Sequence, residues 1–117
     1  MSNELIPTPN AITKDKTEVY DLKKRLDWGE PALTIVDVRD RDAFNTCHIM
    51  GAISMPLDEV VKQAQSSLEN VRDIYVYSDI DEETAEAVGK LRESGFENVS
   101  QIIGGLGAWK AADYPIE

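Results

Sequence analysis

Asp73-Ile74-Tyr75-Val76-Tyr77-Ser78-Asp79-Ile80-Asp81-Glu82-Glu83-Thr84-Ala85 is the stretch from which the rest of the chain can be read. Its first five residues are β-branched or aromatic after the aspartate, the composition of a buried strand. The chain then turns through polar residues and enters a helix. Asp81 is the expected N-cap, with Glu82 and Glu83 in the first turn where the helix dipole favours acid. A strand, a tight loop and a helix start aim backbone N–H groups at one point above the sheet edge. In α/β proteins that point is where ligands and nucleophiles sit. In this chain it is occupied by Ser78, with acid on its C-terminal side.

The same alternation extends in both directions. Leu33-Thr34-Ile35-Val36-Asp37-Val38 is a short, nearly all-apolar run, suited to a central parallel strand covered on both faces. Before it, Thr17 reads as an N-cap, and Val19, Leu22 and Leu26 recur at helical spacing until Gly29 and Pro31 stop the helix. Residues 1–16 read as a loose lead-in, in which Ala11-Ile12-Thr13 is a candidate edge strand. After the central run, a short helix is expected over Arg39 to Phe44 and a strand over Gly51 to Pro56. A helix follows over Leu57 to Leu68. Beyond the opening stretch, the helix over Glu82 to Ser94 turns Ala85, Val88 and Leu91 inward and ends at Gly95. Val99 to Ile103 is the last strand, and Leu106 to Ala112 is a closing helix that carries Trp109. Strands separated by helices at these spacings call for right-handed crossovers and a parallel sheet.

The totals agree with one domain of 117 residues. Twelve basic against twenty-two acidic residues leave a formal charge of −10. Nucleic acid and anionic membrane surfaces both need clustered lysine and arginine, so neither is expected as a partner. A basic protein is the partner that this charge leaves open. The one cysteine, Cys47, has no second cysteine in the chain to pair with, so a reducing cytoplasm is the expected compartment. The first residues lack the basic and apolar regions of a signal peptide, and no apolar run reaches membrane-spanning length. No metal-ligand or cofactor motif stands out.

Taken in order, several motifs resemble the rhodanese-like domain family. They are Thr34-Ile35-Val36-Asp37-Val38-Arg39, then Phe44, then His48-Ile49-Met50-Gly51-Ala52-Ile53-Ser54-Met55-Pro56, then Ile74-Tyr75-Val76-Tyr77, then Gly95-Phe96, and finally Gly104-Gly105-Leu106-Gly107-Ala108-Trp109. The resemblance runs from about Thr17 to Tyr114 and makes residues 17–117 the domain. It implies a small α/β fold with a central parallel sheet of about five strands and helices on both faces. In active members a cysteine follows the third strand in a loop of convergent amides. It accepts a sulfane sulfur from an anionic donor such as thiosulfate and passes it to a thiophile. Related phosphatases use the same loop with an arginine five residues after the cysteine.

This chain departs from that pattern at the positions that carry the chemistry. Ser78 stands where the resemblance puts the cysteine, Glu83 stands five residues on, and Asp79, Ile80, Asp81 and Glu82 lie between, with no glycine and no base. A persulfide needs a thiolate, whose pKa a helix N-terminus can lower to near neutral. A serine hydroxyl has no comparable sulfur chemistry and becomes a nucleophile only beside a general base. His48 is the chain's one histidine. At about 5 Å and an effective dielectric near 20, each carboxylate repels a unit negative charge by roughly 3 kcal/mol before screening. A helix N-terminus returns only about 0.3–1 kcal/mol.

The expectation is therefore a domain without sulfurtransferase activity, serving as a small binding or regulatory module. The alternative is a weak sulfurtransferase using Cys47 or a partner's thiol. Cys47 stands where the family pattern has a glycine before the histidine, so it does not replace the nucleophile. It reads either as a small turn residue or as a sulfur acceptor. Asp37, Arg39 and His48 are expected to support the loop, the first two through an ion pair and backbone contacts.

Overall fold

The computed structural model describes residues 15–29 and 32–117. Five parallel strands lie in the order β1-β5-β4-β2-β3. They are β1 (Lys16–Thr17), β2 (Leu33–Asp37), β3 (Ile53–Ser54), β4 (Asp73–Tyr77) and β5 (Val99–Ile102). A helix follows each strand in turn: α1 (Val19–Asp27), α2 (Arg41–Thr46), α3 (Val60–Ser67), α4 (Asp81–Glu93) and, after the last strand, α5 (Gly105–Ala111).

Side chains alternate across a strand, and in β2 and β4 both sets are apolar. Val36, Ile74 and Val76 face one cluster with Val60 and Ala64 of α3 and Ala87, Val88 and Leu91 of α4. Ile35, Tyr75 and Tyr77 face the other with Leu22 of α1 and Leu106 and Trp109 of α5. The sheet is therefore covered on both sides. β2 and β4 run in register from Leu33 opposite Asp73 to Asp37 opposite Tyr77. That register brings the C-terminal ends of the two central strands side by side, and the loops that leave them build the site.

Several local expectations change. Thr17 lies in β1 and caps nothing: its hydroxyl bonds to that of Ser100 at 2.5 Å, and Glu18 is the N-cap of α1. The candidate strand over Ala11-Ile12-Thr13 lies outside the described residues. The residue that caps α4 is Ile80, with no side-chain bond, and Asp81 is the first helical residue. Its carboxylate instead accepts from the Gly104 N–H at 3.1 Å, so it ties α4 to the β5–α5 turn. The inward stripe of α4 is Thr84, Ala87, Val88 and Leu91, and Ala85 is exposed. Helix α3 begins only at Val60, and Leu57 packs on the core from the preceding turn.

α1 also buries Arg25, which donates to the Tyr75 hydroxyl and pairs with Asp73, each at 2.9 Å. Burial is the main reason the Tyr75 phenol lies above its ordinary range. After α5 the chain returns along the His48 loop. Ile49 and Ile116 form an antiparallel bridge, and the Trp109 indole donates to the Pro115 carbonyl at 2.7 Å.

Candidate functional site: the loop after the fourth strand

Ser78 follows the last residue of β4 and is buried, 1% exposed. Its hydroxyl donates to a carboxylate oxygen of Glu83 at 2.8 Å. The two residues are five apart, and the turn that closes at Ile80 makes the contact: Glu83 and Thr84 both donate their N–H to the Ile80 carbonyl. The loop is thus closed by its own acid at the first turn of α4.

Its backbone is also gripped from outside. The Leu106 N–H donates to the Ser78 carbonyl at 3.4 Å, and Gly105 sits with φ +56° against the same carbonyl. A Cβ on Gly105 would lie 1.9 Å from that oxygen, closer than any side chain allows. Glycine at 105 is therefore required by close approach as well as by backbone angle.

The support beneath the loop comes from β2. Asp37 is fully buried and accepts from the Arg39 backbone N–H at 2.9 Å and from its guanidinium at 2.7–3.1 Å. Arg39 also holds the Cys47 carbonyl at 2.6 Å and reaches Asp79 of the loop at 3.6 Å. Burial works to lower the Arg39 pKa, but the hydrogen bond and charge of Asp37 outweigh it and leave the guanidinium above its ordinary value. The neighbouring Tyr77 hydroxyl accepts the Ile49 N–H at 3.1 Å. Burial first, then the Asp37 carboxylate, push that phenol well above its ordinary range.

His48 is committed elsewhere. Its Nδ1 lies 2.8 Å from the Phe44 carbonyl, its ring stacks on Phe44 at 3.8 Å, and its Nε2 lies 4.0 Å from Glu117. Among the described hydrogen bonds, the Ser78 hydroxyl has Glu83 as its partner and no imidazole. Cys47 ends α2 and is half-buried against the α1/α5 side of the core.

A pocket of about 600 Å³ opens beside Glu83. Five carboxylates line it: Asp40, Asp58, Asp79, Glu83 and Glu86. Two cations, Arg39 and Lys90, share the wall with the apolar surfaces of Pro56, Leu57 and Ile80. No thiol lines it. The sequence points to Arg39, Asp79, Ile80 and Glu83, and to Glu86 as the end of the acidic run 79–86, but misses Asp40, Asp58 and Lys90. The i, i+3, i+7 spacing of Glu83, Glu86 and Lys90 on one helix face is the signal that carries Lys90. Asp81 and Glu82 are exposed and do not line the pocket.

A parallel five-stranded sheet covered by helices, with a loop closing on a helix start after its central strand, defines a rhodanese-type domain. Residues 18–112 match the Rhodanese-like domain family, and the chain belongs to it. The solution structure of the rhodanese-like domain of the Anabaena sp. Alr3790 protein is similar to this chain at 54% identity. Its TM-score is 0.86, and the match covers 90% of this chain and 80% of that one. The putative sulfur carrier protein YrkF of Bacillus subtilis is 29% identical over 86% of this chain and 53% of its own length. The centrosomal protein of 41 kDa of Gallus gallus is 32% identical over 81% of this chain and 28% of its own length. This chain thus spans about half of the first of these two proteins and under a third of the second. Among the described residues no helix is long and apolar enough to cross a membrane.

Proposed function

We propose that this rhodanese-like domain does not transfer sulfur at position 78 and acts instead as a small binding or regulatory module. The observation that carries the reading is the Ser78–Glu83 hydrogen bond. The nucleophile position holds a hydroxyl, and that hydroxyl already donates its hydrogen bond to the carboxylate five residues on. A thiolate is the species that holds a sulfane sulfur, and the pocket wall offers none. The pocket beside the loop, which Ser78 itself does not line, sets five carboxylates against two cations and so repels a dianionic donor that approaches through it. A reducing cytoplasm is the compartment that suits the single thiol.

A second reading is a weak sulfurtransferase through Cys47 or a partner's thiol. Two things favour it: Cys47 is only half-buried, and one relative bears the name of a sulfur carrier. A thiosulfate-to-cyanide assay separates the two. No turnover above buffer is expected for the natural protein or for Cys47→Ser. Turnover that disappears in Cys47→Ser establishes the second reading and ends the first.

A further inference from the structure

The pocket beside Glu83 has a charge pattern unsuited to the anions that a loop of this shape holds, and that pattern selects a different guest. Arg39 is engaged with Asp37, the Cys47 carbonyl and Asp79. Lys90 lies 3.7 Å from Glu86. Asp40, Asp58 and Glu83 have no ion-pair partner among the described residues, although Asp40 accepts the Ala43 N–H and Glu83 the Ser78 hydroxyl. Each of the three retains acceptor capacity, since an ionised carboxylate offers about four lone-pair sites.

The apolar part of the wall completes the picture. Leu57 is half-buried, and Ile80 is 52% exposed at the mouth. Lysine and arginine cover apolar surface with their methylene stems while the charged head reaches a polar group. Acid with an apolar ledge fits such a side chain, and fits neither a free oxyanion nor a purely apolar one. Among the described residues no three histidine, cysteine, aspartate or glutamate side chains converge closely enough to hold a metal ion. The spread of the carboxylates therefore suits an extended organic cation.

We propose that this pocket is a docking site for a lysine or arginine side chain on a basic segment of a partner protein. The stem rests on Leu57 and Ile80, and the head lies in the combined field of the spread carboxylates of Asp40, Asp58 and Glu83, pairing with one or two of them at a time. The proposal rests on the binding-module reading and gives it a partner chemistry. It predicts attraction that falls with ionic strength and selects against acidic segments.

The test is a titration of the ¹⁵N-labelled full chain with a blocked hexapeptide of alternating arginine and alanine, followed by amide shifts. The same peptide with glutamate for arginine, and thiosulfate, form separate arms. Shifts confined to Ile80, Glu83, Glu86 and the 56–58 turn are expected with the arginine peptide alone. The double variant Asp40→Asn, Asp58→Asn should weaken binding by about tenfold or more, the scale of a lost charge contact. Glu69→Gln with Glu93→Gln, both outside the pocket and exposed, should change it by less than about twofold. Absence of binding, shifts spread over the acidic surface, equal loss in both double variants, or equal binding of the glutamate peptide would each overturn the proposal. Any of these can occur while the cyanide assay stays blank, so failure of the docking site is distinguishable from failure of the binding-module reading.

Discussion

The Ser78 hydroxyl and the Glu83 carboxylate meet at 2.8 Å across the loop that follows β4. A thiol placed at 78 would face the same carboxylate, whose charge opposes thiolate formation. Ser78→Cys alone is therefore expected to give little sulfur transfer from thiosulfate. Ser78→Cys with Glu83→Arg replaces repulsion by attraction and should exceed the single variant by on the order of tenfold or more, one unit of thiolate pKa being worth that factor. Strong turnover by the single variant would refute the electrostatic account.

Gly105 and the Ser78 carbonyl are too close for any side chain between them. Gly105→Ala forces one of them to move and adds a strained backbone angle. The expected loss of stability is on the order of 3 kcal/mol, the scale of severe overpacking. Urea unfolding measures it. Gly107→Ala, inside α5 where nothing lies within 4 Å of the added carbon, is the control and should be neutral to stabilising, by up to about 1 kcal/mol.

Asp37 and Arg39 are both buried and bonded to each other. Asp37→Ala leaves the guanidinium without its main counter-charge, and a broken buried pair costs about 3–5 kcal/mol. The loss should exceed that of Asp42→Ala on the exposed face of α2 several-fold in the same unfolding assay. Equal losses would mean that the pair contributes little.

Tyr77 titrates above its ordinary value in the folded protein, through burial and then the Asp37 carboxylate. The unfolded chain loses that proton above about pH 10, while the folded one keeps it. Stability from this group is whole below that pH and falls as pH rises, by up to about 1.4 kcal/mol per unit. Tyr75 is shifted in the same direction and adds to the decline. Tyr77→Phe should be less stable at neutral pH, since the Ile49 N–H loses its acceptor, yet decline less steeply above about pH 10. Identical slopes for the two proteins would exclude Tyr77 as a source of the decline.

The central strands were legible because Ile35-Val36 and Ile74-Tyr75-Val76 are apolar on both alternating faces, a pattern that few other environments permit. Thr17 was not, because threonine suits both a cap and a strand, and a pairing with Ser100 across 83 residues settles it. Asp81 is misread for a similar reason. An acid at a helix start can cap its own helix or reach a neighbouring turn, and Gly104 offers the nearer amide. Arg25 sits between Leu22 and Leu26 with nothing local to show that Tyr75 and Asp73 would take it inside. The substitutions at Ser78 and Glu83 can be read directly, but their contact cannot, since it depends on how the turn at Ile80 closes. The pocket is legible only in part because its acids come from the N-cap of α2, the turn before α3, the loop after β4, and α4.

The grip of Gly105 on the Ser78 carbonyl separates shape from chemistry in this loop. Its outline is held from behind by Gly105 against the Ser78 carbonyl and by the Gly104 amide on the Asp81 carboxylate, in addition to the Ser78–Glu83 contact within the loop. The backbone of the loop is thereby fixed by contacts that do not pass through the hydroxyl of Ser78.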